Sequence, residues 1–184
     1  DLVIPRGSSS LVRYIQSNTR IPVLGHAEGV CHVYVDAEAD LTTAVDVILD
    51  SKTDYPAACN AMETLLLHEQ VVVDGRAATI LDALKSAGVA LYGGPNAHGR
   101  LGLTPTATLR QEYSDLAASV EIVPSLQSAI DHIHQYGSGH TEAILTTNQS
   151  TAEHFLAAVD SACVFHNAST RFADGFRFGL GAEV

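Results

Sequence analysis

Cysteine is scarce in this chain of 184 residues. Three occur, Cys31, Cys59 and Cys163, an odd number without close pairing. That argues against a disulfide framework and for free thiols in a reducing, intracellular compartment, the cytoplasm or an organelle. Positive charge is scarce too: 10 Lys and Arg stand against 21 Asp and Glu, a formal net charge of -11. With no basic cluster to offset it, attraction to nucleic acid or an anionic membrane through a general field is excluded, and an anionic substrate must be met by local donors. No apolar run approaches the roughly twenty residues of a membrane span. Metal-ligand spacing is missing as well. Although nine histidines are present, there is no His-x-x-x-His or Cys-x-x-Cys pair, and His132 and His134, two apart on a predicted helix, face different directions. No metal is expected.

The length suffices for one domain with a proper core. Apolar runs alternate with amphipathic stretches, the pattern of an α/β domain with a largely parallel sheet. Strands are predicted at 2–5, 21–24, 30–35, 64–68, 89–92, 120–123, 143–146 and 162–166. Helices are predicted to about residue 16 after Gly7-Ser8-Ser9-Ser10, and at 41–51, 77–87, 125–136 and 151–160. Residues 96–108, mixing Gly, Pro, Thr and Asn, read as an exposed loop. Both termini read as cuts inside a larger protein, because a strand-like run opens the chain and a glycine-rich stretch closes it. Ligands in such folds gather at the carboxyl ends of strands. That rule directs attention to Gly7–Ser10, Gly25–Gly29, the loop of Cys59 and Asn167–Arg171.

Cys59 lies in Tyr55-Pro56-Ala57-Ala58-Cys59-Asn60-Ala61, just before Leu65-Leu66-Leu67. A thiol among small residues at a break before a strand is placed as nucleophiles are in enzymes that form acyl-thioesters. It is equally a small hydrophobe of the most buried type. Reactivity needs a lowered pKa, and Pro56 can start a helical turn whose N–H groups favour the thiolate. Cys31 and Cys163, in strand-like contexts, read as core. Gly7-Ser8-Ser9-Ser10 suits either a phosphate or an ordinary helix cap. Asn167-Ala168-Ser169-Thr170-Arg171 crowds an amide, two hydroxyls and a guanidinium together, fit for a carboxylate or phosphate and also for a plain polar turn.

These segments carry a resemblance. Residues 55–61, together with Phe165-His166-Asn167-Ala168-Ser169-Thr170-Arg171-Phe172-Ala173-Asp174-Gly175-Phe176-Arg177-Phe178-Gly179-Leu180-Gly181-Ala182-Glu183, resemble γ-glutamyl phosphate reductases of the aldehyde dehydrogenase superfamily. So do residues 2–9, 22–36 and 129–141. Asp160-Ser161-Ala162-Cys163-Val164-Phe165-His166-Asn167 is most similar to the reductase half of bifunctional pyrroline-5-carboxylate synthases.

The resemblance implies a three-layer, parallel-sheet catalytic domain of the aldehyde dehydrogenase fold over residues 21–184, truncated at its C-terminal end. Residues 1–20 would be a remnant strand, turn and helix of the cofactor domain. It implies reduction of γ-glutamyl phosphate to glutamate 5-semialdehyde in proline biosynthesis: the Cys59 thiolate displaces phosphate to form a thioester, and NADPH supplies hydride. Asn167, Ser169, Thr170 and Arg171 would bind substrate; Gly7, Ser8 and Glu112 would bind cofactor, Glu112 at the nicotinamide ribose. The backbone N–H of Cys59 would be an oxyanion donor. A homo-oligomer and a fused glutamate kinase domain in the parent protein are further implications. Hydrolytic relatives carry a glutamate base where Ile21-Pro22-Val23-Leu24 offers none, which favours a thioester that survives water. The isolated chain is expected to bind NADPH too weakly to turn over. A binding or assembly domain with an unused thiol, or another acylating aldehyde dehydrogenase, are the alternatives.

Overall fold

The computed structural model describes residues 1–5, 7, 9–25 and 28–181. Helix α1 (Ser9–Asn18) is followed by β1 (Cys31–Val35), α2 (Leu41–Thr53), β2 (Met62–His68), α3 (Glu69–Val73), α4 (Arg76–Ser86), β3 (Ala90–Gly93), α5 (His98–Leu101), β4 (Thr104–Pro105), β5 (Ala117–Val123), α6 (Leu126–Tyr136), β6 (Thr141–Leu145), α7 (Gln149–Ala158) and β7 (Cys163–His166). The strands form one sheet in the order β4-β3-β5-β2-β1-β6-β7, and all its pairings are parallel.

The sequences of the central strands explain their position. Cys31-His32-Val33-Tyr34-Val35 is buried throughout, and so is β2 up to its last residue, as expected of parallel strands covered on both faces. One face packs Val33, Leu65, Leu67 and Val120 under Ile48 of α2 and Ile80 and Leu84 of α4. The other packs Tyr34, Leu66 and Ile144 under Ile130 and Ile133 of α6 and Phe155 of α7. This gives three layers. Side-chain caps start the covering helices: Asp40 accepts the Thr43 N–H at 2.9 Å, Ser125 that of Ser128 at 3.2 Å and Asn148 that of Thr151 at 3.1 Å.

Several expectations need correction. Residues 2–5 and 21–24 contribute only the isolated bridge Val3–Val23 among the described residues, because no neighbouring strand extends that pairing. The stretch 96–108 contains α5 and β4. Helix α3 was not foreseen, since five residues are too few to display a period. Cys163 is half-buried rather than core, as its strand closes the sheet edge with a single neighbour, β6. Most consequentially, Cys59 precedes β2 and so lies at the amino ends of the parallel strands, not at their carboxyl ends. The carboxyl-end rule concerns loops that follow strands; this loop leads into one.

Candidate active site

Residues 55–61 form two successive turns, closed by Ala58 N–H to Tyr55 O (3.0 Å) and Ala61 N–H to Ala58 O (2.9 Å). The first turn begins at Pro56 and does not continue into a helix. The turns leave Cys59 half-buried. Its carbonyl accepts the Cys31 thiol at 3.3 Å, where β1 is irregular in register between Cys31 and His32. Burial foremost, and the nearby Glu142, push the Cys31 thiol well above its ordinary pKa. Cys31 is therefore a hydrogen-bond donor and not a nucleophile.

The predicted substrate residues divide between the two ends of the sheet. Asn167, at φ 51°, gives both ends of its amide to Thr146: Oδ1 accepts the Thr146 N–H at 3.0 Å and Nδ2 donates to the Thr146 carbonyl at 2.9 Å. It extends the ladder beyond Leu145, at the carboxyl end. Ser169, Thr170 and Arg171 instead turn back to the end of α2 and are buried. Ser51 Oγ donates to Ser169 Oγ at 3.1 Å and accepts the Thr170 N–H at 3.2 Å. The Thr170 hydroxyl itself is buried without a hydrogen-bond partner.

Arg171 meets the thiol loop. Its guanidinium donates to Asn60 Oδ1 and, through Nε at 3.2 Å, to Asp54, and lies 5.8 Å from the centre of the Tyr55 ring. Asn60 Nδ2 in turn donates to the Ala173 carbonyl at 2.8 Å. Arg171 thus clamps both flanks of Cys59. Arg177 also binds Asp54, at 3.0 Å. Asn60 and Asp54 were missed by sequence reading, because nothing in a Cys-Asn pair announces a partner 111 residues away.

Gly7 is exposed just before α1, and Ser8 lies outside the described residues. Glu112 is half-buried and accepts the Ser114 hydroxyl at 3.4 Å. The next two backbone N–H groups, of Tyr113 and Ser114, donate to Glu63 at 3.1 and 3.3 Å, and Glu63 also receives Lys52 Nζ at 3.2 Å. Burial pushes the Glu63 carboxyl up to about 7 and pulls the Lys52 ammonium down, while their attraction opposes both shifts. A cavity of about 540 Å³, mostly apolar, opens beside this end of the sheet among Glu28, His140, Cys163, Ala173 and Phe178. Among the described residues no cluster of three or more His, Cys, Asp or Glu side chains is arranged to hold a metal, and no helix is long and apolar enough to cross a membrane.

A half-buried thiol in a loop held by a buried guanidinium is chemically able to accept an acyl group. The comparisons narrow this. The γ-glutamyl phosphate reductase of Thermotoga maritima superposes with a TM-score of 0.93 at 41% identity, covering 99% of this chain and 44% of that one. The Δ1-pyrroline-5-carboxylate synthase 1 of Oryza sativa subsp. japonica is 59% identical over 184 residues, all of this chain and 26% of that protein. The likeness to γ-glutamyl phosphate reductases holds over the whole chain. The reductase-like chain thus spans about a quarter of the plant relative and less than half of the bacterial one. Its fold is that of the aldehyde dehydrogenases: an acetylating aldehyde dehydrogenase from Geobacillus thermoglucosidasius superposes with a TM-score of 0.69 over 100% of this chain and 49% of that one, at 19% identity. No family model matches the chain.

Proposed function

We propose that this chain is the thiol-bearing part of a γ-glutamyl phosphate reductase and that Cys59 is its nucleophile. The observation that carries the reading is the convergence on the loop of one half-buried thiol of a buried donor from β1 to the Cys59 carbonyl, a clamp from residues 171–173 on Asn60, and a likeness that runs through both segments. In this reading the Cys59 thiolate attacks the γ-acyl carbon, the carbon–oxygen bond to phosphate breaks, and a γ-glutamyl thioester remains on sulfur. An acyl phosphate is already activated, so the protein's task is positioning. The reduced nicotinamide cofactor, when bound, supplies hydride to the thioester carbon. Loss of the thiolate then releases the semialdehyde.

The residues present fit part of a dinucleotide site. Glu112 is a pure acceptor when ionised, suited to a pair of ribose hydroxyls, and the two N–H bonds behind it fix its turn. NADPH as the specific cofactor, the division into residues 1–20 and 21–184, a fused kinase domain in the parent, a homo-oligomer and a reducing intracellular location belong to the same proposal. Arg171 acts through Asn60 in holding the loop, and Ser169 and Thr170 form the buried floor behind it. Asn167 belongs to the same segment but anchors it from the far end. No carboxylate occurs in residues 21–24, which favours reduction over hydrolysis of the thioester.

The test is the reverse reaction of the full-length protein: phosphate-dependent NADP⁺ reduction with glutamate 5-semialdehyde. Cys59→Ser should abolish it while leaving the fold intact. Near-wild-type turnover in that variant overturns the assignment.

A further inference from the structure

Lys52 and Glu63 stand on either side of the turn that carries Cys59, one in the last turn of α2 and the other at the second position of β2. Both side chains are buried, at 0% and 1% exposure, and they bind each other. A buried ion pair recovers its desolvation cost only when its remaining hydrogen-bonding capacity is used. Here that capacity is spent on another part of the chain. The Glu63 carboxylate takes the N–H groups of Tyr113 and Ser114, 50 and 51 residues away, and Ser114 is held at φ 53°, a conformation a non-glycine residue rarely adopts. The side of Tyr113 away from this bond is fixed too: its ring stacks on Tyr92 at 5.5 Å, and its hydroxyl meets Ser119 Oγ at 2.9 Å. Glu112 precedes these two residues, and its carboxylate takes the Ser114 hydroxyl.

We propose that Glu63 is a positioning residue: by holding the Tyr113 and Ser114 backbone from the strand that follows Cys59, it sets the Glu112 carboxylate at a fixed place relative to the thiol. The inference rests on the reading of Glu112 as a cofactor residue and goes beyond it by assigning the group that aims it. Three residues separate Cys59 from Glu63, and Glu112 is the immediate neighbour of Tyr113. A single buried carboxylate therefore ties the sulfur that would carry the acyl group to the side chain that would hold the hydride donor. Lys52 keeps that carboxylate from standing alone in the core.

The experiment is steady-state kinetics of the full-length protein in the semialdehyde-oxidising direction. Glutamine at position 63 keeps the size but offers an N–H₂ group where one of the two N–H donors must be met. Glu63→Gln should raise the KM for NADP⁺ about tenfold while moving the KM for phosphate less than about twofold. Glu112→Gln should raise the cofactor KM as well, and the double variant should be no worse than Glu112→Gln alone, because one residue acts through the other. Lys52→Met/Glu63→Gln, which leaves no lone buried cation, carries the same expectation and replaces Glu63→Gln if that variant does not fold. An unchanged cofactor KM in the Glu63 variants, equal rises for cofactor and phosphate, or additive losses in the double variant with Glu112→Gln overturns the proposal. An unchanged cofactor KM in Glu112→Gln overturns the cofactor reading itself, and the proposal with it.

Discussion

Gly29 packs directly against the carbonyl of Cys59: a Cβ built on Gly29 would stand 2.2 Å from that oxygen and 2.8 Å from the Cys59 Cα. The contact is backbone against backbone, so no side-chain rotamer can relieve it. Space, not backbone conformation, requires glycine here.

Gly29→Ala should therefore displace the thiol loop. Overpacking a rigid contact costs about 1–3 kcal/mol, and this one belongs at the upper end. Urea unfolding measures the loss, and slower or faster alkylation of Cys59 in the folded variant reports the displacement. Unchanged stability together with an unchanged alkylation rate would contradict the packing.

The three thiols should react in a fixed order. Cys31 is fully buried and its thiol is held against ionisation, whereas Cys59 and Cys163 are half-buried. Limited treatment with iodoacetamide, followed by peptide mass spectrometry, should find Cys59 and Cys163 modified before Cys31. Early modification of Cys31 would show that the amino end of β1 opens.

Removing the two members of the buried ion pair should not cost the same. After Lys52→Met the Glu63 carboxyl can take up a proton and still accept the Tyr113 and Ser114 N–H groups, so the loss should be about 1–2 kcal/mol. Glu63→Leu leaves an unpaired ammonium and two orphaned N–H groups, for about 3–5 kcal/mol. Denaturant unfolding at neutral pH decides the order.

His132 should make the fold sensitive to acid. Burial foremost, with a contribution from His32, lowers its pKa to about 3, while the unfolded chain keeps the ordinary value near 6.5. Between those values the unfolded state binds the extra proton, so the stability present above about pH 6.5 is lost as pH falls toward 3. From pH 7.5 to 4 this amounts to about 3 kcal/mol. Glu63 works the other way: with its pKa raised to about 7, stability falls as pH rises from about 4.5 to 7. Comparing wild type with His132→Gln isolates the histidine, and the difference between them should shrink on acidification. A constant difference across that range would sink the assignment.

Much of the architecture was written in the chain. Strands with uninterrupted apolar runs, such as Leu65-Leu66-Leu67 in β2, point to parallel strands covered on both faces, and the capped amphipathic segments at 41, 126 and 149 supplied covers. Local chemistry of that kind needs no knowledge of partners, and it located the break that holds Cys59. What sequence reading could not reach were relations across the sheet. It placed the thiol by a rule for loops after strands, while the strand order and direction put it at the opposite end. It grouped Asn167 with Arg171 because they are neighbours in the chain, yet one is spent on Thr146 and the other on Asn60. It gave no role to Lys52 or Glu63, each unremarkable by type, and read Gly29 as part of a ligand loop rather than as a packing contact of Cys59. The physical reason is the same in each case: a hydrogen bond or a close approach depends on where two distant segments meet, and the pattern of hydrophobicity that builds the layers carries no term for which polar group stands opposite which. Sequence by itself determined the layers and the immediate neighbourhood of Cys59; the tertiary structure alone decided which end of the sheet that neighbourhood occupies and which buried charges hold it.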